Sequence, residues 1–146
     1  MPRILLLALL GLILITVATE PIFAADSETS SPSTEAADAM PGLMLENMLR
    51  AQLEGVEGIE VIISRVTIPP HSSLPKHWHP GEEFGYVLEG SVVLWQEGKD
   101  DVIGKKGDVM KIPLKQVHTA ITRDEGATIL VFRVHEEGKP ERVPVK

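Results

Sequence analysis

From Ile59 onward the chain is a series of short β-branched runs cut by Gly, Pro and acidic turns, which restricts it to an all-β fold. Glu60–Ile68 reads EVIISRVTI and stops at Pro69-Pro70, neither of which can donate a ladder hydrogen bond. Further strands are predicted at Pro75–His79, Phe84–Leu88, Ser91–Gln96, Asp101–Ile103, Asp108–Ile112, Val117–Thr122 and Thr128–His135. Gly90, Glu97-Gly98-Lys99, Gly104–Gly107, Pro113 and Asp124-Glu125-Gly126 separate them. No stretch after Leu53 sustains a helical period. Many short strands at close spacing imply a sandwich or a small barrel. Leu43–Leu53 is ambiguous, because its composition suits a helix starting near Pro41. It runs into the turn-like Glu54–Gly58, however, so a strand over roughly Met48–Glu54 is preferred. Gly138–Lys146 reads as an extended tail that packs on the barrel or on a partner.

The first 40 residues do not share this pattern. Met1-Pro2-Arg3 gives a positive start, Ile4–Val17 is almost wholly apolar, and small residues follow at Ala24-Ala25. That is the layout of a secretory signal peptide, assigned to residues 1–25. The apolar run is shorter than the roughly 20 residues of a membrane span. Export to the periplasm or outside the cell is therefore expected, the alternative being a tether by an uncleaved N-terminal segment. Residues 26–40 are polar, Ser/Thr-rich and aperiodic, as in a flexible linker. The folded domain is placed at residues 41–146, one domain in a chain of 146.

Composition narrows the partners. There is no cysteine, so neither disulfides nor thiolate zinc sites are available. The net charge is −7, with Lys and Arg scattered, so neither nucleic acid nor an anionic membrane is an expected partner. A small molecule and a second copy of the chain are the expected partners, because an exposed long edge strand tends to pair.

The chemistry concentrates in one segment. His77, His79, Glu83 and Gly90 form H-x-H-x3-E-x6-G, and His118 lies downstream in a β-branched strand. Alternation puts His77 and His79 on one face, with Trp78 on the other. The turn at Pro80-Gly81-Glu82 can return Glu83 beside them, and Gly85, on the Glu83 face, leaves room. Three imidazoles and a carboxylate suit a divalent transition metal. The alternative is a dry hydrogen-bonded polar cluster, which is costly in a small apolar core. Trp78, Phe84, Tyr86 and Leu88 are expected on the opposite face, and Met110 inside. His71 and His135 are expected at the surface.

These residues resemble the two sequence motifs of the cupin superfamily. The first, G-x5-H-x-H-x3-4-E-x6-G, matches His77, His79, Glu83 and Gly90, with His71 at its leading glycine. The second, G-x5-P-x-G-x2-H-x3-N, matches Gly107, Pro113 and His118, with Lys115 at its inner glycine and Thr122 at its closing asparagine. The resemblance covers about Asn47–His135. It implies a single conical antiparallel β-barrel, a double-stranded β-helix of jelly-roll type, with metal held by His77, His79, Glu83 and His118. Fe(II) or Mn(II) is the favoured ion, with Ni, Cu or Zn as alternatives.

The functional expectation is an exported metal-binding protein, a small metalloenzyme acting on a small organic chelator. Dioxygenase-like oxidation, as in the flavonol-cleaving members, and isomerisation are the reaction classes the resemblance implies. Glu83 would then also be catalytic, taking up a substrate proton. The competing expectation is a metal-dependent module that binds or senses a small molecule without turnover.

Overall fold

The computed structural model describes residues 41–145. The signal peptide and linker assigned to residues 1–40 lie outside the described residues. Every regular element described is a strand: β1 (Met44–Gln52), β2 (Ile59–Ile68), β3 (His77–Trp78), β4 (Gly81–Gln96), β5 (Val102–Lys105), β6 (Val109–Ile112), β7 (His118–Ile121), β8 (Ala127–Glu136) and β9 (Val143–Pro144). All pairings are antiparallel, in the order β1-β2-β8-β4-β7-β3-β9, with β5 and β6 also on β4. The expected all-β barrel of double-stranded β-helix type is what forms.

One long strand joins the two sheets. The first half of β4 pairs with β6 and β8, and the second with β5 and β7. Two separate strands, Phe84–Leu88 and Ser91–Gln96, were expected on either side of a turn at Gly90. Gly90 instead bends a continuous strand, at φ +72°. A bulge against β8 between Val87 and Glu89 accompanies the bend. Buried positions change parity there, from Glu83, Gly85 and Val87 to Val92, Leu94 and Gln96. Bends and bulges of this kind let a strand switch sheets at a barrel corner. Only glycine fits: a Cβ at Gly90 would sit 1.8 Å from the Gly126 carbonyl oxygen.

The first strand also differs in extent from its expectation. It runs Met44–Gln52 rather than from Met48 to Glu54, with a bulge between Asn47 and Leu49 against β2. The bulge interrupts the two-residue alternation, which is why the sequence pattern is hard to read there. The C-terminal tail packs on its own barrel: Val143 and Pro144 pair with Trp78 and His77.

The interior is divided lengthwise. On β8 the inward row runs Ala127, Ile129, Val131 and then Arg133, His135. The apolar part meets Val66, Ile68, Val87, Val92, Leu94 and Met110 in the main core. Burying such a side chain contributes about 1.5–3 kcal/mol, so this end supplies much of the stability. The other end buries Glu60, His77, His79, Glu83, His118, Arg133 and His135. That end is where the chemistry lies.

Candidate metal centre

Strand register builds the site. His77 on β3 stands opposite His118 on β7, and His118 is also opposite Gln96 on β4. His79 follows β3 immediately, and Glu83 lies inward on β4. That strand begins at Gly81 after a bend at Pro80, so the turn expected over Pro80–Glu82 is shorter than the sequence suggested. The three imidazoles are buried, with ring centroids 4.5–5.2 Å apart. One nitrogen from each lies within 4.8 Å of the others.

Each ring is oriented by a backbone carbonyl. His77 Nδ1 donates to Pro75 O at 2.7 Å, His118 Nδ1 to Gln116 O at 2.9 Å, and His79 Nδ1 to Glu141 O. A carbonyl can only accept, so these bonds place the proton on Nδ1 and leave Nε2 with a bare lone pair. Metal-binding histidines are prepared in this way. His79 Nε2 comes within 2.9 Å of Glu83 Oε2, and His118 Nε2 within 3.8 Å of Glu83 Oε1. His79 Nε2 is nevertheless buried without a hydrogen-bond partner. Lone pairs that converge on a carboxylate repel unless a cation lies among them.

At His77 and His118 a proton is disfavoured. Burial pushes the His77 pKa down to about 3, against the opposing bond to Pro75. Burial likewise lowers His118, although Glu83 works against it. Neutral imidazoles are the form that binds metal, so at neutral pH these two have no proton to displace. The donor set, three nitrogens and an anionic oxygen, fits a divalent transition ion.

The sequence reading did not include Arg133. It faces Glu83 directly across the β4–β8 ladder, and its Nε donates to Glu83 Oε2 at 2.8 Å. Its Nη1 reaches Ser64 Oγ at 3.3 Å. Burial works to raise the Glu83 pKa, but the Arg133 guanidinium, then His79 and His118, hold it well below the usual carboxylate range. Glu83 is therefore an anion in the resting site. The signal was present in the alternation of β8, where Arg133 shares the inward parity of Ile129 and Val131.

The C-terminal strap was also undervalued. Besides the Glu141 carbonyl on His79, the Glu141 carboxylate takes hydrogen bonds from Arg50 Nη2 at 2.5 Å and Asn47 Nδ2 at 3.1 Å. His135, expected at the surface, is fully buried: Nδ1 faces Glu136 O at 2.8 Å and Nε2 faces Pro140 O at 3.2 Å. Its inward parity on β8 next to Glu60 explains the correction. His71 is exposed, as expected, and so is Tyr86 on the outer face.

The cavity beside the triad is small, about 50 Å³. His77, Glu83, His118, Arg133 and Arg142 form its polar side, and Leu45, Met110 and Ile129 are among its apolar walls.

A protein-family model described as a cupin domain matches residues 64–133, which include His77, His79, Glu83, His118 and Arg133. The barrel is a cupin domain. Solved cupins share its fold. DMSP lyase DddQ from Ruegeria pomeroyi superposes with a TM-score of 0.61 at 23% identity, covering 75% of this chain and 54% of that one. A cupin-like protein from Thermotoga maritima gives 0.58 at 21% identity, covering 70% and 75%. Auxin-binding protein ABP19a from Prunus persica is 32% identical over 73 residues, 47% of this chain and 35% of that protein. The chain thus spans about a third of the ABP19a length and about half of the lyase.

The cupin motif departures have a physical reading in this chain. His71 and Lys115, at the two family glycine positions, are the only non-glycine residues among those described with positive φ, +53° and +57°. The left-handed backbone is kept without the glycine. Thr122, at the asparagine position, is buried, donates to Pro69 O and accepts from Ser72 N.

Proposed function

We propose that this cupin is an exported metal-dependent enzyme acting on a small organic chelating molecule. Its ion would be held by His77, His79, His118 and Glu83, with Fe(II) or Mn(II) favoured over Ni, Cu or Zn. The observation that carries the reading is the convergence of three imidazoles, each held by a backbone carbonyl at Nδ1, beside a carboxylate that Arg133 keeps ionised and that His79 and His118 approach through Nε2. A metal bound there would supply Lewis acidity and, for a redox ion, access to dioxygen chemistry. The chain's own residues do the rest. The backbone carbonyls fix the imidazole tautomers, and the apolar walls exclude water. Glu83 would supply the negative charge that holds the ion and is a carboxylate at the cavity that could accept a substrate proton. The Arg133 ion pair makes that carboxylate a weak base, so holding the ion would be its main role.

Cavity size supports a small substrate. About 50 Å³ is well below the roughly 300 Å³ and more that drug-sized ligands occupy, so a polycyclic flavonol is not the natural guest. Dioxygenase-like oxidation or isomerisation of a compact enediol, catechol or oxo acid suits the site better. Export rests on the apolar run Ile4–Val17 and its small-residue boundary.

One observation favours binding without turnover: the cavity's further charged groups, Arg133 and Arg142, are arginines, which do not shuttle protons. Oxygen uptake and product analysis with Fe(II)- and Mn(II)-loaded protein, across small enediols, catechols and oxo acids, separate the two. Metal-dependent turnover supports the enzyme. Saturable binding with no product from any compound supports the binding module.

A further inference from the structure

One charge in the cavity is not used by the metal centre. Arg142 lines the same cavity as His77, Glu83 and His118. Its backbone is fixed on both sides. The preceding Glu141 carbonyl takes the His79 ring hydrogen, and the following Val143 pairs with Trp78. Arg142 is therefore delivered by an anchored strap, not by a loose tail.

Arg142 forms no ion pair of its own among the described residues. Glu83, the carboxylate of the cavity, is engaged by Arg133. Glu60 and Glu141 are engaged by Arg50, and no described carboxylate lies within ion-pair distance of Arg142. Burial, and then the like charge of Arg133, disfavour its cationic form, against the attraction of Glu141 and Glu83, which are themselves paired to Arg50 and Arg133. A partly desolvated guanidinium without a bonded anion is costly, and an anionic ligand would offset that cost. Glu83 is bonded to Arg133 and Glu141 to Arg50, so neither carboxylate is bonded to Arg142. A divalent ion would leave the cavity still more positive.

We infer that Arg142 recognises the carboxylate of a short-chain organic acid, whose remaining donor atoms face the histidine triad. The planar guanidinium offers two parallel N–H donors matched to a carboxylate. The apolar walls and the small volume suit a hydrocarbon chain of a few atoms better than a phosphate ester. This deepens the proposed function and rests on it for the metal, while the anion site itself stands on Arg142.

Calorimetric titration of propionate, with propionamide as the neutral control, tests the inference in metal-free and Co(II)-loaded protein. Propionate should bind, and propionamide should bind about ten-fold more weakly or less. Arg142→Gln should lose about ten-fold in propionate affinity with metal stoichiometry unchanged, and Arg142→Lys should keep part of it. Undiminished propionate binding by Arg142→Gln in both forms, or no saturable propionate binding by the wild type, overturns the inference. So does loss of metal in Arg142→Gln, which would make the residue a support for the strap. Propionate binding that depends on Arg142 in a wild type that takes up no metal would sink the metal reading alone. Stoichiometric metal with Arg142-independent binding would sink this inference alone.

Discussion

His71 and Lys115 show how individual residues can hold a family geometry at a cost. Both are exposed and adopt a left-handed backbone. For an L-residue with a Cβ, that conformation costs roughly 1–2 kcal/mol, partly offset in glycine by its greater unfolded-state freedom. Lys115→Gly is expected to stabilise the protein by roughly 0.5–1 kcal/mol, read as a higher urea midpoint at unchanged slope. A lower midpoint would mean that the Lys115 side chain contributes something the exposed position does not reveal. The buried histidines set an acid limit. Folded His77 takes its proton only near pH 3, whereas the unfolded chain does so near 6.5. Between those values the unfolded state binds more protons, so stability rises with pH across the window. His118 is shifted the same way, and Glu83, held below 4.5, adds to the slope at the acid end. Metal-free protein should therefore lose stability progressively as pH falls from 6.5 toward 3, as followed by urea midpoints. His77→Gln should flatten that slope, and a wild-type midpoint that does not move would refute the assignment.

At the scale of elements, β4 carries the design. It supplies Glu83 to the site, crosses between sheets at Gly90, and receives Arg133 opposite Glu83 from β8. Most strands were legible as β-branched runs between turns, and the parity that puts Phe84 and Tyr86 outside held in the first half of β4. The continuous bend through Gly90 was not legible, because a glycine between two apolar runs reads equally as a hairpin turn or as a corner. The closeness of the Gly126 carbonyl decides between them, and that contact is 36 residues away in sequence. Gly90→Ala should cost at least about 3 kcal/mol, since it adds a clash to a positive φ. Thermal unfolding measures this, and a variant as stable as the parent would refute the corner. The strap illustrates a second limit. Pro140–Val145 has too little periodicity to announce that it buttresses His79 and fills the cavity rim.

For the whole molecule, the division of the barrel into an apolar and a polar end explains what could be read. His77, His79 and Glu83 were recognisable because their spacing is local, and His118 because it falls in the second motif. Arg133, Glu141 and Arg142 join them only through pairing across the barrel, and His135 was misplaced because a lone histidine carries no mark of burial. The same view gives an assembly prediction. β1 pairs only with β2 and leaves Met44, Met48 and Leu49 exposed along an edge of the sheet. Edge pairing into a homodimer is expected, and Leu49→Lys should shift the light-scattering mass toward the monomer. A monomeric wild type across a wide concentration range would refute it.

Bound metal per chain is the most direct test of the account. After anaerobic loading with Fe(II) or Mn(II) and desalting, the wild type should retain one ion per chain, and His118→Ala should retain almost none while keeping its β-sheet circular dichroism. Wild-type protein that holds substoichiometric metal under every loading condition, or a His118→Ala variant that holds as much as the parent, would contradict it.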